Sequence, residues 1–137
     1  MRKTGFLIFL ILLTAAGCRQ QATTQNADFN IALVVEPEPL VVGDAMLVIT
    51  VTDSSSAPVN DAKIAVRGDM NHAGMTSVFG EIESGSNGQY RVPFEWAMAG
   101  DWIVEVTVTL ANGEKVVKSF DMKVASSAPE MTTEAES

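Results

Sequence analysis

Between Asp101 and Leu110 the chain alternates strictly: Trp102, Val104, Val106, Val108 and Leu110 fall on one side of an extended backbone, with Ile103, Glu105, Thr107 and Thr109 on the other. Side chains swap faces every residue only in a strand, so this stretch suits a sheet with one dry and one wet face and suits no helix.

The same period recurs through the middle of the chain, and no stretch carries a 3.6-residue apolar stripe. It predicts strands over 30–35, 45–52 (Leu47, Ile49 and Val51 inward), 62–67 (Ile64 and Val66 inward), 76–83, 89–96 (Tyr90, Val92, Phe94 and Trp96 inward), 101–110 and 115–124 (Phe120, Met122 and Val124 inward). Lys118 shares the apolar face of the last strand, which marks a bulge or a sheet edge. Turn chemistry separates the segments. Glu36-Pro37-Glu38-Pro39 cannot supply the donors of a central strand, the 53–58 loop is rich in Ser and ends in Pro58, and Asn87-Gly88 and Asn112-Gly113 favour the positive φ of hairpin turns. Seven short strands about a dozen residues apart describe an all-β domain, an immunoglobulin-like antiparallel sandwich, with a small barrel as the alternative.

The ends differ from this body. Arg2 and Lys3 precede an apolar run from Phe6 that closes on Ala15-Ala16-Gly17-Cys18. A cationic start, a short apolar run and small residues are the parts of a secretory signal, and Phe6 to Ala16 is about half the roughly 20 residues a membrane-spanning helix needs. The Ala-Ala-Gly-Cys stretch resembles the bacterial lipobox, departing from it in having Ala15 where Leu is preferred. The resemblance implies a lipoprotein precursor: lipid on the Cys18 thiol, cleavage before Cys18, and acylation, palmitate included, at the new terminus. The alternative is a plain secreted protein cut near Ala16 or Gly17. Cys18 is the chain's one cysteine, so no disulfide within the chain can use it, and acylation would spare an exposed thiol from oxidation. Arg19 in place of Asp, by analogy with enterobacterial sorting, favours the periplasmic face of the outer membrane in a two-membrane cell; otherwise the anchor lies on the outer face of the plasma membrane. The expected organisation is a signal peptide over 1–17, a lipidated flexible tether over 18–29, the sandwich over 30–125 and a disordered acidic tail over 126–137.

Charge narrows the partners. Of 9 Lys and Arg, Arg2 and Lys3 would leave with the signal, so 7 basic residues face 17 acidic ones and the net charge moves from −8 to −10. Such a surface opposes nucleic acid and anionic lipid headgroups.

Met70, His72 and Met75 place two thioethers and the one imidazole of the chain within six residues, and Met98 lies in a second loop-like segment. Uncharged soft and borderline donors suit Cu(I). The bland reading is that Met fills gaps at the end of a sandwich, that Gly74 serves a turn and that His72 is solvated. Met46 and Met122, in strands, are expected in the core. A second set of donors, Glu36, Glu38 and Asp44, or Asp53, Asp61 and Asp101, would hold Ca²⁺ if clustered at one end, although their spacing matches no EF-hand. Trp96 and Trp102 are either a binding platform or, more simply, core. His72 lacks a recognisable Ser or Cys setting, so no enzyme is expected.

Four stretches, 38–43 (EPLVVG), 57–64 (APVNDAKI), 70–75 (MNHAGM) and 88–104 with its Gly-Gln-Tyr start and Gly-Asp-Trp strand opening, resemble the YtkA-like domain family, related to the FixH group. The resemblance implies a non-catalytic immunoglobulin-like domain outside the cytoplasm, found near respiratory-oxidase or metal-transport proteins as partners. FixH proteins usually carry a transmembrane helix, and this chain has the lipid signal instead. The functional expectation is a lipid-anchored binding module handling copper through the Met/His loop; the alternative is a structural or assembly lipoprotein that binds a protein partner and no metal.

Overall fold

A computed structural model describes residues 28–126 of the 137-residue chain. Cys18, the signal segment, all but the end of the tether and nearly all of the acidic tail lie outside the described residues. Seven strands follow in order: β1 (Phe29–Glu36), β2 (Gly43–Asp53), β3 (Lys63–Met70), β4 (Val78–Ile82), β5 (Gln89–Trp96), β6 (Gly100–Thr109) and β7 (Lys115–Val124). Among the described residues no helix is long and apolar enough to cross a membrane.

The strands form two antiparallel sheets, β1-β2-β5 and β4-β3-β6-β7. They are separate layers, which excludes the closed barrel. The order is that of an immunoglobulin-like sandwich in which the fourth strand has joined the sheet of the third, sixth and seventh. The alternation dictates the layering. Leu47, Ile49 and Val51 of β2 and Tyr90 and Val92 of β5 are fully buried, and they face Ile64, Val104, Val106 and Val108 of the second sheet. Burial of this kind, at roughly 25 cal/mol per Å² of apolar surface, is the main term holding a domain with no described disulfide.

Lys118 marks an edge. The β6–β7 register runs without interruption from Gly100↔Val124 to Thr109↔Lys115, so there is no bulge. β7 borders its sheet, and the Lys118 ammonium crosses the open side of the sandwich to donate to the Ile31 carbonyl of β1 at 2.8 Å, passing 5.2 Å from the Phe120 ring centre. An inward-pointing charge at a sheet border also discourages pairing with another chain.

The sandwich has two poles. At the N-terminal pole β1 begins and the loops 54–62, 83–88 and 110–114 gather; at the far pole lie the loops 37–42, 71–77 and 97–99 and the end of β7. The N-terminal pole is locked by hydrogen bonds. The Asn60 side chain accepts from the Gly88 amide at 2.6 Å, the Gly85 amide donates to the Asn60 carbonyl at 3.2 Å, and the Tyr90 hydroxyl donates to the Val59 carbonyl. Gly88 sits at φ +74°, and a Cβ there would lie 2.7 Å from the Val51 carbonyl oxygen. The Asn87-Gly88 turn has positive φ at both residues, as its sequence predicts.

Candidate metal-binding pole

The far pole collects the Met/His residues. β3 ends at Met70, directly across from Trp102 near the start of β6, so the loop after β3 and the loop before β6 are held side by side. Two contacts fasten them. The Asn71 amide donates to the Asp101 carbonyl at 3.2 Å. The Met70 methyl end lies on Gly100, at φ +139°, where a Cβ would come within 2.8 Å of it. The Ser77 hydroxyl donates to the Asp69 carboxylate and pins the far end of the 71–77 loop to β3.

Four thioether and imidazole side chains are thus placed at this pole in different settings. His72 is exposed and Met75 half-buried, both in the loop after β3. Met98 is 49% exposed in the 97–99 loop. Its backbone carbonyl accepts from the Trp102 indole nitrogen at 3.0 Å, which sets the course of that loop. Met70 is half-buried and packs against the hydrophobic core.

Beneath the loops is an aromatic floor. Trp96 and Trp102 are each 1% exposed, with ring centres 5.4 Å apart and planes 73° apart, and Phe94 meets Trp96 edge-on at 4.9 Å. The two tryptophans are therefore core, not a platform. The Trp96 indole nitrogen is buried and has no hydrogen-bond partner among the described residues.

The carboxylate alternative is overturned. Among the described residues no three of His, Cys, Asp and Glu are placed to hold a metal ion. Asp53 and Asp61 lie at the N-terminal pole and Asp101 at the far pole, separated by the length of the sandwich. Asp53 is occupied with its own turn, accepting from the Ser55 amide and hydroxyl and from the Ala57 amide. Glu36 is paired with Arg91 at 2.8 Å across the outer face of the three-stranded sheet. Met46 also departs from expectation. It is half-buried on that outer face, between Glu36 and Pro93, because the inner face of β2 belongs to Leu47, Ile49 and Val51. Met122 does pack against the core.

Reading by loops and motifs passed over two residues. Ile103 is 43% exposed and Phe79 68% exposed, both on the outer face of the four-stranded sheet. Ile103 had a visible signal: it is the one aliphatic residue on the polar side of the β6 alternation.

A family model described as YtkA-like matches residues 23–107. No curated protein matches the chain. Among solved structures, the soluble domain of PmoD from Methylocystis sp. ATCC 49242 (Rockwell) is similar over 69% of this chain and 90% of its own, at 13% identity and a TM-score of 0.46. Murine CRIg is similar over 72% of this chain and 99% of its own, at 14% identity and a TM-score of 0.40.

Proposed function

We propose that this chain, which belongs to the YtkA-like family, is an extracytoplasmic lipid-anchored binding domain that takes Cu(I) at its far pole. The observation carrying this reading is that the pairing of Met70 with Trp102 puts the loop of His72 and Met75 beside the loop of Met98. Strand order sets at one pole two loops whose candidate donors lie more than twenty residues apart in sequence, all uncharged and none a thiol. Thioether and imidazole donors fit a soft monovalent ion and fit calcium or magnesium poorly. His72 and Met98 are open to an arriving ion, Met75 is partly so, and Met70 braces the two loops through Gly100. The lipid anchor rests on Ala15-Ala16-Gly17-Cys18 at the end of the apolar run. Mass spectrometry of the membrane-bound protein, beside a Cys18→Ser variant, tests it: an unmodified thiol on the native protein defeats that part.

Competition for Cu(I) against a chromogenic chelator tests the metal site, using residues 19–137, which retain every described residue. A His72→Ala/Met75→Ala/Met98→Ala variant is expected to bind at least about tenfold more weakly, a loss of about 1.4 kcal/mol. Equal weak binding by both proteins sinks the copper reading. The packing of Met70 against the core favours the second reading, an assembly or structural lipoprotein whose Met-rich pole only fills space. That reading predicts stability losses from the Met variants and no Cu(I) binding.

A further inference from the structure

The outer face of the four-stranded sheet carries an apolar residue inside a ring of charge. Ile103 stands directly across from Asp69 of β3 on one side and Asp121 of β7 on the other, with Asp101 and Glu105 two residues away on its own strand. Of these four carboxylates only Asp69 is in an ion pair among the described residues, with Arg67 at 2.9 Å. Arg67 in turn lies between Phe79 of β4 and Glu105 of β6. An open depression of about 330 Å³ runs beside Ile103 between Asp101 and Asp121 and reaches Met122; Lys123, directly across from Asp101 but not in an ion pair with it, also lines it.

Exposed Ile103 and Phe79 on one face, bridged by a neutralised Arg67–Asp69 pair and bordered by carboxylates, ask for an occupant that is apolar at the centre and cationic at the rim. A second copy of this chain does not meet that requirement, because the protein carries a net charge of −8. Nucleic acid and anionic membranes are repelled for the same reason. A bare metal ion finds no set of three carboxylates to hold it among the described residues. We propose that this face docks a basic polypeptide segment that lays an aliphatic side chain into the depression beside Ile103 and sets lysine or arginine against Asp101, Glu105 and Asp121. The surface borders the Met/His loops at Asn71 and Asp101 but uses none of their thioether or imidazole groups, and stands whether or not they bind copper.

The probe is a fluorescein-labelled twelve-residue peptide of alternating lysine and leucine, titrated with residues 19–137 and followed by anisotropy at low and moderate salt. Ile103→Ser/Phe79→Ser, both surface changes, is expected to weaken binding about tenfold or more. Asp101→Asn/Glu105→Gln/Asp121→Asn is expected to weaken it and flatten its salt dependence. Glu38→Gln/Asp44→Asn/Glu95→Gln removes the same charge elsewhere and is expected to leave binding within about twofold of wild type. No binding by the wild-type protein overturns the proposal. So does equal weakening by the two charge variants, which would reduce the effect to net charge. Amide shift changes on adding the peptide provide a second measurement: changes confined to β3, β4, β6 and β7 support the surface, and changes centred on β1, β2 and β5 refute it.

Discussion

The Tyr90 hydroxyl donates a 2.6 Å hydrogen bond to the carbonyl of Val59, thirty-one residues earlier, and accepts one of 3.1 Å from the Ala62 amide. One phenol thus satisfies two backbone groups on either side of Asn60 and Asp61 and fastens the loop after β2 to the inner face of β5. The Tyr90 ring is fully buried, so its hydroxyl reaches a polar edge from an apolar seat.

Tyr90→Phe is expected to cost about 1–3 kcal/mol in chemical denaturation, since it strands a carbonyl and an amide with little access to water. Burial holds the Tyr90 phenol above its ordinary value of 10.0, helped by the Asp61 charge and opposed by the Ala62 hydrogen bond. With the folded value raised, stability is independent of this group below about pH 10 and is lost as pH rises through the folded value. Tyr90 is the chain's one tyrosine, so absorbance titration reads it alone. A phenol that ionises at its ordinary value in the folded protein contradicts the latch.

Asp53 is expected to titrate below its ordinary 3.8, because the Ser55 hydroxyl, then the Ala57 and Ser55 amides, hydrogen-bond its ionised form. A depressed folded value means that the contribution to stability is present above pH 3.8 and fades as pH falls through the folded value. Carbon-13 NMR of the carboxyl in wild type and in Ser55→Ala checks this, with the variant expected to titrate closer to the ordinary value. Identical curves would show that the Ser55 hydroxyl contributes nothing.

Lys118→Met keeps the length of the side chain and removes its bond to the Ile31 carbonyl. Its partial exposure limits the expected loss to about 0.5–1 kcal/mol. The larger effect is expected in self-association, because the charge that guards the β1–β7 border has gone. Sedimentation velocity at increasing concentration should show dimers or larger species for the variant alone; a monomeric variant removes the guarding role.

Met70→Leu separates packing from ligation. A volume-conserving exchange should hold stability within about 1.5 kcal/mol and leave Cu(I) competition unchanged, while Met98→Leu should weaken Cu(I) binding without a stability cost. If Met70→Leu loses Cu(I) as completely as the His72/Met75/Met98 variant, Met70 is a principal donor and its contact with Gly100 is secondary.

The strands were readable wherever one face was dry. β5 and β7 match their expected limits, and β6 is displaced by one residue at each end. β3 runs three residues past its expected end at Arg67. Gly68, the first residue beyond that expected end, seats the Phe94 ring, whose tip would lie 2.5 Å from a Cβ there. β4 is shorter than expected at both ends, and at its start Ser77 is bonded instead to the Asp69 carboxylate. The site was legible only in part. Donor chemistry can be read from Met70, His72, Met75 and Met98 one at a time, but their meeting at one pole follows from strand order, which local pattern does not encode. The same blindness let Asp53, Asp61 and Asp101 look like a set when a whole strand length divides them. The partner of Lys118 lies 87 residues away in β1, beyond any periodicity.

β1 starts at the pole opposite the Met/His loops, and β2, eleven residues long, measures the gap between the poles. At about 3.3 Å per residue that gap is roughly 35 Å. If the proposed lipid anchor holds the chain through the residues before Asp28, it acts on the Tyr90-latched end and leaves the Met/His loops at the opposite pole. Under the proposed function, a change in the number of residues before Asp28 would then alter the distance from the membrane at which those loops are held and leave their side chains unchanged.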